Sequence, residues 1–115
     1  MVLTLNLPPA WKLTDEEFAS LASLNQDLRL ELTATGELMI MPPTGGETGE
    51  RNFELIGQFW RWNRQTKLGK AFDSSTGFRL PNGATRSPDV SWITTDRWLA
   101  LTPEQRKKFL PLCPD

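Results

Sequence analysis

Apolar residues recur at helical spacing near the start of the chain. They fall every three or four positions, at Phe18, Leu21, Ala22 and Leu24. Thr14 and Glu17 have the spacing of a capping box, in which each side chain bonds the backbone of the other residue. Leu13 and Phe18 occupy the positions of a hydrophobic staple. The pattern predicts a first helix over about 15–24.

A period of two follows, which is typical of a half-buried strand. Leucines at 28, 30 and 32 alternate with Arg29, Glu31 and Thr33. A turn at 35–36 leads into the apolar run 38–41, which two prolines end. The two segments predict an antiparallel hairpin.

The clearest amphipathic pattern covers about 50–66. At 100° per residue, the apolar side chains fill one half of the helical wheel: Phe53, Leu55, Ile56, Phe59, Trp60 and Trp62. We expect this half, with both tryptophans, to lie in the core. The glycine-rich segment 44–49 predicts a flexible lead into the helix, and Gly69 is expected to end it.

Strand patterns return over 71–80 and 87–94, separated by the hairpin turn Asn82-Gly83. Pro88 lacks the N–H that a central ladder needs, so it belongs at the start or edge of a strand. Thr102 to Gln105 has the pattern of a capped final helix. The predicted order is α-β-β-α-β-β-α, a single small α/β or α+β domain over 1–115 with a largely antiparallel sheet.

Composition narrows the chemistry available to this domain. In its 115 residues there is no His, no Tyr and one Cys, which excludes imidazole catalysis, imidazole or cysteine-cluster zinc sites and intrachain disulfides. Scaling gives roughly 6,400 Å² of folded surface for this length. The net charge is −1, so nucleic-acid binding requires a local basic patch. No apolar run reaches a membrane-spanning length, and we expect a cytoplasmic protein without a membrane partner.

Three carboxylates are candidate oxygen ligands for a divalent metal. Asp89 follows Pro88 where a turn enters a strand, and the alternative is that it caps or solvates this turn. Glu31 is a second candidate, and the alternative is a surface ion pair with Arg29 or a cross-strand Lys. Glu47 lies near the start of the long helix, and its alternative is a capping box with Thr44.

Basic residues interleave with tryptophans late in the long helix. Arg61, Arg64, Lys67 and Lys70 flank Trp60 and Trp62, a spacing that can follow a phosphate backbone while the rings stack on bases. The alternative is a solvated basic face with the tryptophans in the core.

Taken together, these patterns resemble a bacterial family known as putative restriction endonucleases, a branch of the PD-(D/E)XK nuclease-like superfamily. The resemblance is carried by the hairpin from Leu30 to Pro43, by the long helix, by the segment Ser75–Leu80, and by Arg86-Ser-Pro-Asp89-Val. It covers essentially the whole chain, and its motifs are specific in combination.

The resemblance implies a mixed β-sheet flanked by helices and a metal-dependent DNA endonuclease, a hydrolase of phosphodiester bonds. It implies that Asp89 and Glu31 are catalytic residues that hold Mg²⁺ or Mn²⁺, with Glu47 as a further metal residue. Arg86 matches a basic residue that holds a phosphate. Arg61 and Arg64 are further candidates for DNA contact.

The family pattern continues with a strand that bears a second acidic residue, followed by a basic one. The sequence given ends at Leu112-Cys-Pro-Asp115, before that strand. We therefore expect the N-terminal part of such a domain, inactive in this truncated form, with an open sheet edge beside the Asp89 strand. The alternative is a non-catalytic remnant or interaction module. DNA and a second copy of the chain, bound through the sheet or its open edge, are the expected partners.

Overall fold

The computed structural model describes residues 2–115, which form seven strands, four α-helices and a 3₁₀ turn. The strands are β1 (Leu3–Leu5), β2 (Arg29–Leu32), β3 (Leu38–Met41), β4 (Gly69–Asp73), β5 (Phe78–Arg79), β6 (Thr85–Arg86) and β7 (Val90–Thr94). The helices are α1 (Asp15–Leu24), α2 (Gly46–Thr66), α3 (Thr95–Leu99) and α4 (Pro103–Arg106), with a 3₁₀ turn at Pro9–Trp11.

The strands form two antiparallel sheets. One has five strands in the order β1-β3-β2-β6-β5, and the other pairs β4 with β7. An isolated parallel bridge joins Phe78 to Leu110. Antiparallel sheets flanked by helices confirm the predicted α+β class and agree with a restriction-endonuclease-like architecture.

The first helix forms as its sequence predicts. Thr14 and Glu17 exchange both bonds of the capping box, at 3.1 Å and 2.9 Å. Phe18 is buried against the leucines of β2 and β3, and Leu13 packs against the same cluster. Since burial of apolar surface is the main favourable term in folding, this cluster fixes α1 on one face of the five-stranded sheet.

Both long strands predicted in the second half are wrong in extent. The segment 71–80 contains most of β4 and all of β5, and the segment 87–94 contains only β7, which β6 precedes at Thr85–Arg86. In each case the chain passes from one sheet to the other between the two strands. At the first break the Asp73 carboxylate accepts a bond of 3.0 Å from the Ser75 N–H and turns the chain. At the second break Pro88, which has no N–H to donate, lies between the strands.

The long helix is also displaced from its predicted bounds. It begins at Gly46, inside the predicted flexible lead, and ends at Thr66. Lys67, not Gly69, turns the chain in the left-handed region, with φ 54°. Gly69 is needed for another reason: a Cβ there would lie 2.1 Å from the carbonyl oxygen of Ile93 in the paired strand. β1, the 3₁₀ turn and α3 are elements that the sequence pattern did not predict.

The apolar half of α2 is only partly covered, and the prediction that both tryptophans lie in the core is wrong. The centre of the stripe, Ile56 and Phe59, is half-buried. On one flank Phe53 and Trp60 remain 76% and 60% exposed. The helix packs on β4 of the two-stranded sheet, which covers the centre of the stripe and leaves this flank in solvent.

Trp62, on the other flank, is exposed in part but has aromatic partners. Its ring meets those of Trp92 at 5.3 Å and Phe59 at 5.5 Å, both in edge-to-face arrangement. The Trp92 Nε1–H donates to Asn63 Oδ1 at 3.0 Å. These contacts attach the second half of α2 to β7.

The surface of the described chain is larger than its length predicts, at 8051 Å². The exposed flanks of α2 contribute to this excess. The second edge of β7 is contacted by the C-terminal residue: the Asp115 N–H donates to the Trp92 carbonyl at 2.9 Å, and the Asp115 Oδ2 accepts a bond of 3.1 Å from the Thr94 N–H. Within residues 2–115, none of the helices combines the length and apolar character needed to cross a membrane.

Candidate functional site

Strands β2 and β6 bring two distant parts of the sequence together. They pair antiparallel with Leu32 opposite Thr85, so the register places Glu31 level with Arg86. Leu30 and Leu32 face the core with α1, and the alternation of a strand directs Arg29 and Glu31 to the opposite face. The predicted metal and phosphate residues of the two strands therefore share one face of the sheet.

Glu31 is buried, with 9% of its surface exposed. Its Oε1 accepts a bond of 3.2 Å from Arg86 Nη1, and its Oε2 accepts one of 2.8 Å from the Ser87 N–H. The alternative interpretation, a surface carboxylate paired with Arg29, is wrong on both counts. A buried charge needs such a partner and such hydrogen bonds, so the pair holds Glu31 in one place.

Arg29 pairs instead with Asp89. Its Nη1 lies 3.1 Å from Asp89 Oδ1, and its Nη2 donates to the carbonyl oxygen of Ser87. Both side chains reach solvent, with exposed fractions of 34% for Arg29 and 49% for Asp89. Asp89 lies directly before β7, where the turn after Pro88 enters the strand, as its sequence position predicts.

A groove of about 550 Å³ contains the Arg29–Asp89 pair and the Glu31 carboxylate. Arg29, Glu31 and Asp89 line it on the sheet side. The opposite wall consists of the segment after β3 and the first turns of α2, which contribute Met41, Pro42, Pro43, Thr44, Gly45, Thr48 and Asn52. The groove thus lies where the five-stranded sheet, the two-stranded sheet and α2 meet.

Glu47 lies elsewhere. It is in the first turn of α2 and lines a separate depression with Glu50, Arg51 and Glu54. The capping box expected between Thr44 and Glu47 is not formed, because Gly45 is the N-cap and carries no side chain. Within residues 2–115 there is no group of three or more acidic or cysteine side chains placed to hold a metal ion together. A role for Glu47 as a third ligand stays a prediction.

Arg61 and Arg64 are in the second half of α2, outside the lining of the groove. The Arg64 guanidinium lies over the exposed ring of Trp60, 5.2 Å from its centre, which is a cation–π arrangement. Both arginines and Lys67 are exposed. Their place in the structure gives a basic, aromatic surface on α2, separate from the carboxylates.

The donors of the groove fit a hard divalent cation. Mg²⁺ prefers oxygen ligands and is commonly held by one or two carboxylates, with water and substrate phosphates completing the shell. Glu31 and Asp89 are two such carboxylates in one groove. In the structure an arginine neutralises each of them, so a bound cation would compete with a guanidinium for carboxylate oxygen.

The sequence analysis did not assign Arg29 and Ser87 to the site. Arg29 precedes Glu31 by two residues and therefore lies on its face of the strand, a signal that could have identified it. The role of Ser87 depends on its backbone N–H and carbonyl, which contact Glu31 and Arg29. Because almost any residue supplies the same backbone N–H and carbonyl, the amino-acid type at position 87 does not reveal such a contact.

Comparison with known proteins identifies a family. The model of the Uma2 family, described as "Putative restriction endonuclease", matches residues 15–115 of the chain. The matched region contains α1, the hairpin, α2 and every residue of the two ion pairs. No curated protein matches the chain.

Proposed function

Since the chain belongs to the Uma2 family of putative restriction endonucleases, we propose that its groove binds a divalent cation and a DNA phosphate for phosphodiester hydrolysis. The observation that carries this proposal is the presence of Glu31 and Asp89 in one groove, each with an arginine beside it. Carboxylates are ligands for the cation, and guanidinium groups donate hydrogen bonds to the phosphate.

Glu31 and Asp89 have different roles in this proposal because they differ in burial. Glu31 is fixed by Arg86 and the Ser87 N–H, so it presents its carboxylate in a constant orientation. Asp89 is more exposed and can turn toward a ligand. A bound Mg²⁺ or Mn²⁺ would activate water and offset charge on the scissile phosphate. Arg86 remains 36% exposed at its side chain, which leaves part of its guanidinium accessible to a phosphate oxygen.

The basic surface of α2 is proposed as the contact that holds DNA outside the groove. Arg61, Arg64 and Lys67 carry no acidic partner among the ion pairs of residues 2–115. Exposed cations of this kind attract the phosphate backbone. The exposed ring of Trp60 offers a face on which a base can stack, since stacking tolerates any base.

We do not expect residues 2–115 alone to cleave DNA efficiently. The groove contributes two carboxylates, and its lining in this part of the chain contains no lysine. We propose that efficient catalysis needs a further acidic or basic group beside these two carboxylates. The function of the described part is to bind the cation and the phosphate.

Cation-dependent DNA binding tests this proposal. A fluorescently labelled duplex is titrated with the protein, with and without Mg²⁺, and its anisotropy is recorded. We expect Mg²⁺ to strengthen binding of the unmodified protein and to have no such effect on the double variant E31Q/D89N. The proposal is wrong if Mg²⁺ changes both affinities equally or neither of them.

A non-catalytic interaction module is the second candidate. Exposed Phe53 and Trp60 favour it, because large apolar side chains grouped on a surface commonly mark an interaction site. In this function the chain would self-associate through α2 or through the second edge of β7. Sedimentation velocity separates the candidates: the module predicts a dimer whose formation Phe53→Ser weakens and Mg²⁺ leaves unchanged.

A further inference from the structure

The two arginines that pair with the groove carboxylates hold them in different ways. Arg86 is attached to buried Glu31 and also lies 3.1 Å from the Met39 sulfur, so its position is fixed by the sheet. Arg29 contacts a carboxylate that is about half exposed. Of the two pairs, the one between Arg29 and Asp89 is therefore the easier to open.

The guanidinium of Arg29 also keeps an unused donor. Its Nε is buried and has no hydrogen-bond partner among the described residues. A buried N–H without an acceptor is unfavourable, and a phosphate has acceptor oxygens in the geometry that a guanidinium matches. The present contacts of Arg29 with Asp89 and Ser87 thus leave its hydrogen-bonding capacity incomplete.

Arg29 and a divalent cation would share one carboxylate, that of Asp89. Asp89 Oδ1 accepts from Arg29 Nη1, and two positive charges at one carboxylate repel each other. A cation that binds Asp89 must therefore displace the guanidinium or bind against its charge. In either case the positive charge of Arg29 lowers the affinity of the groove for the cation.

We propose that Arg29 is a positioning residue that holds Asp89 in the cation-free protein and opposes cation binding until a phosphodiester offers the guanidinium another partner. This inference rests on the proposed function. It makes cation and DNA binding cooperative, because each ligand removes a cost from the binding of the other, and such coupling is reciprocal.

Calorimetry with Mn²⁺ tests the inference in the full chain. The protein, Arg29→Met and the control Lys108→Met are titrated with and without a short DNA duplex. Lys108 is exposed and outside the groove, so its variant loses the same charge without touching Asp89. Without DNA, we expect Arg29→Met to bind Mn²⁺ about two- to five-fold more tightly, the range for a solvent-accessible ion pair, and Lys108→Met to be unchanged.

DNA gives the second readout. It should increase the Mn²⁺ affinity of the unmodified protein and do so less for Arg29→Met. A purely structural role for Arg29 would instead weaken Mn²⁺ binding in the variant. If Arg29→Met does not fold, as judged by circular dichroism, Arg29→Gln retains a donor for the Ser87 carbonyl and is measured in its place.

The outcomes separate this inference from the proposed function. An unmodified protein that binds Mn²⁺ neither with nor without DNA contradicts the proposed function. An unmodified protein that binds Mn²⁺, beside a folded Arg29 variant that binds it no more tightly, overturns the role of Arg29 alone.

Discussion

Arg29 Nη1 lies 3.1 Å from Asp89 Oδ1, although the two residues are 60 positions apart in the chain. Arg29 is in β2 of the five-stranded sheet, and Asp89 directly precedes β7 of the two-stranded sheet. The ion pair therefore bridges the two sheets at the place where the groove opens. Each of the two groove carboxylates has one arginine partner: Arg29 for Asp89 and Arg86 for Glu31.

Loss of the Glu31 carboxylate is expected to destabilise the fold. Glu31→Ala leaves the Ser87 N–H and part of the Arg86 guanidinium without their acceptor. An unsatisfied buried donor costs about 1–3 kcal/mol. Urea denaturation of Glu31→Ala and Glu31→Gln measures this cost, and Glu31→Gln should lose less because its amide oxygen still accepts one bond. Equal stability of Glu31→Ala and the unmodified protein would show that these bonds contribute nothing.

Substitution of two glycines by alanine is expected to change the stability of the protein in opposite directions. Gly69→Ala places a Cβ 2.1 Å from the Ile93 carbonyl oxygen and against the Trp92 ring, so it should separate β4 from β7 and destabilise the protein. Gly57 is exposed within α2 and has open space at its Cβ. Gly57→Ala should stabilise the protein by about 0.5–1 kcal/mol. Thermal melts of both variants check the pair, and a Gly69→Ala variant as stable as Gly57→Ala would refute the close approach.

The basic surface of α2 predicts a salt dependence of DNA affinity. The logarithm of the DNA-binding constant falls linearly with the logarithm of the salt concentration, and each phosphate contact that is lost reduces the steepness of this fall by about 0.9. We expect the double variant R61Q/R64Q to lower the slope by about 1–2, and Lys108→Gln to leave it unchanged. Anisotropy titrations over a salt series measure the slope. An unaltered slope in R61Q/R64Q would place DNA elsewhere on the protein.

Asp115 predicts a pH dependence of stability. A hydrogen bond from Arg97 and one from the Thr94 N–H hold the pKa of this carboxyl below its ordinary value of 3.8. A lowered folded-state pKa stabilises the fold above the ordinary value, and the contribution is lost as pH falls through the lowered value. Urea denaturation from pH 6 to pH 3 should show a smaller loss for Asp115→Asn than for the unmodified protein. Parallel curves would contradict the contribution.

The parts of the fold that local chemistry determines were predicted from the sequence. The capping boxes of α1 and α4 are formed by the residues that carry their signals, Thr14 with Glu17 and Thr102 with Gln105. The hairpin of β2 and β3 follows its alternation, and the turn at Asn82-Gly83 joins β5 to β6, with Gly83 at φ 91°. In each case the information lies within a few residues.

The parts that depend on distant partners were not predicted. No local pattern indicates that the strand after Gly69 and the strand before Thr94 leave the first sheet to pair with each other. The helical wheel predicted the apolar half of α2 but could not show how much of it the β4–β7 sheet covers. The exposure of Trp60 was therefore not predicted. Glu31 and Asp89 were proposed from the sequence and lie in one groove. The pairing of Glu31 with Arg86 and of Asp89 with Arg29 was not predicted, because it depends on the register of distant strands.

Calorimetric titration of Mg²⁺ or Mn²⁺ into the protein, Asp89→Ala and Asp27→Ala is the direct test of a cation site at Asp89. Asp27 is exposed and lies outside the groove, so its variant controls for the loss of one surface carboxylate. We expect the protein and Asp27→Ala to bind the cation and Asp89→Ala not to bind it. Binding of equal strength in Asp89→Ala, or no binding in any of the three, would contradict a metal site at Asp89 and leave its carboxylate with a structural role.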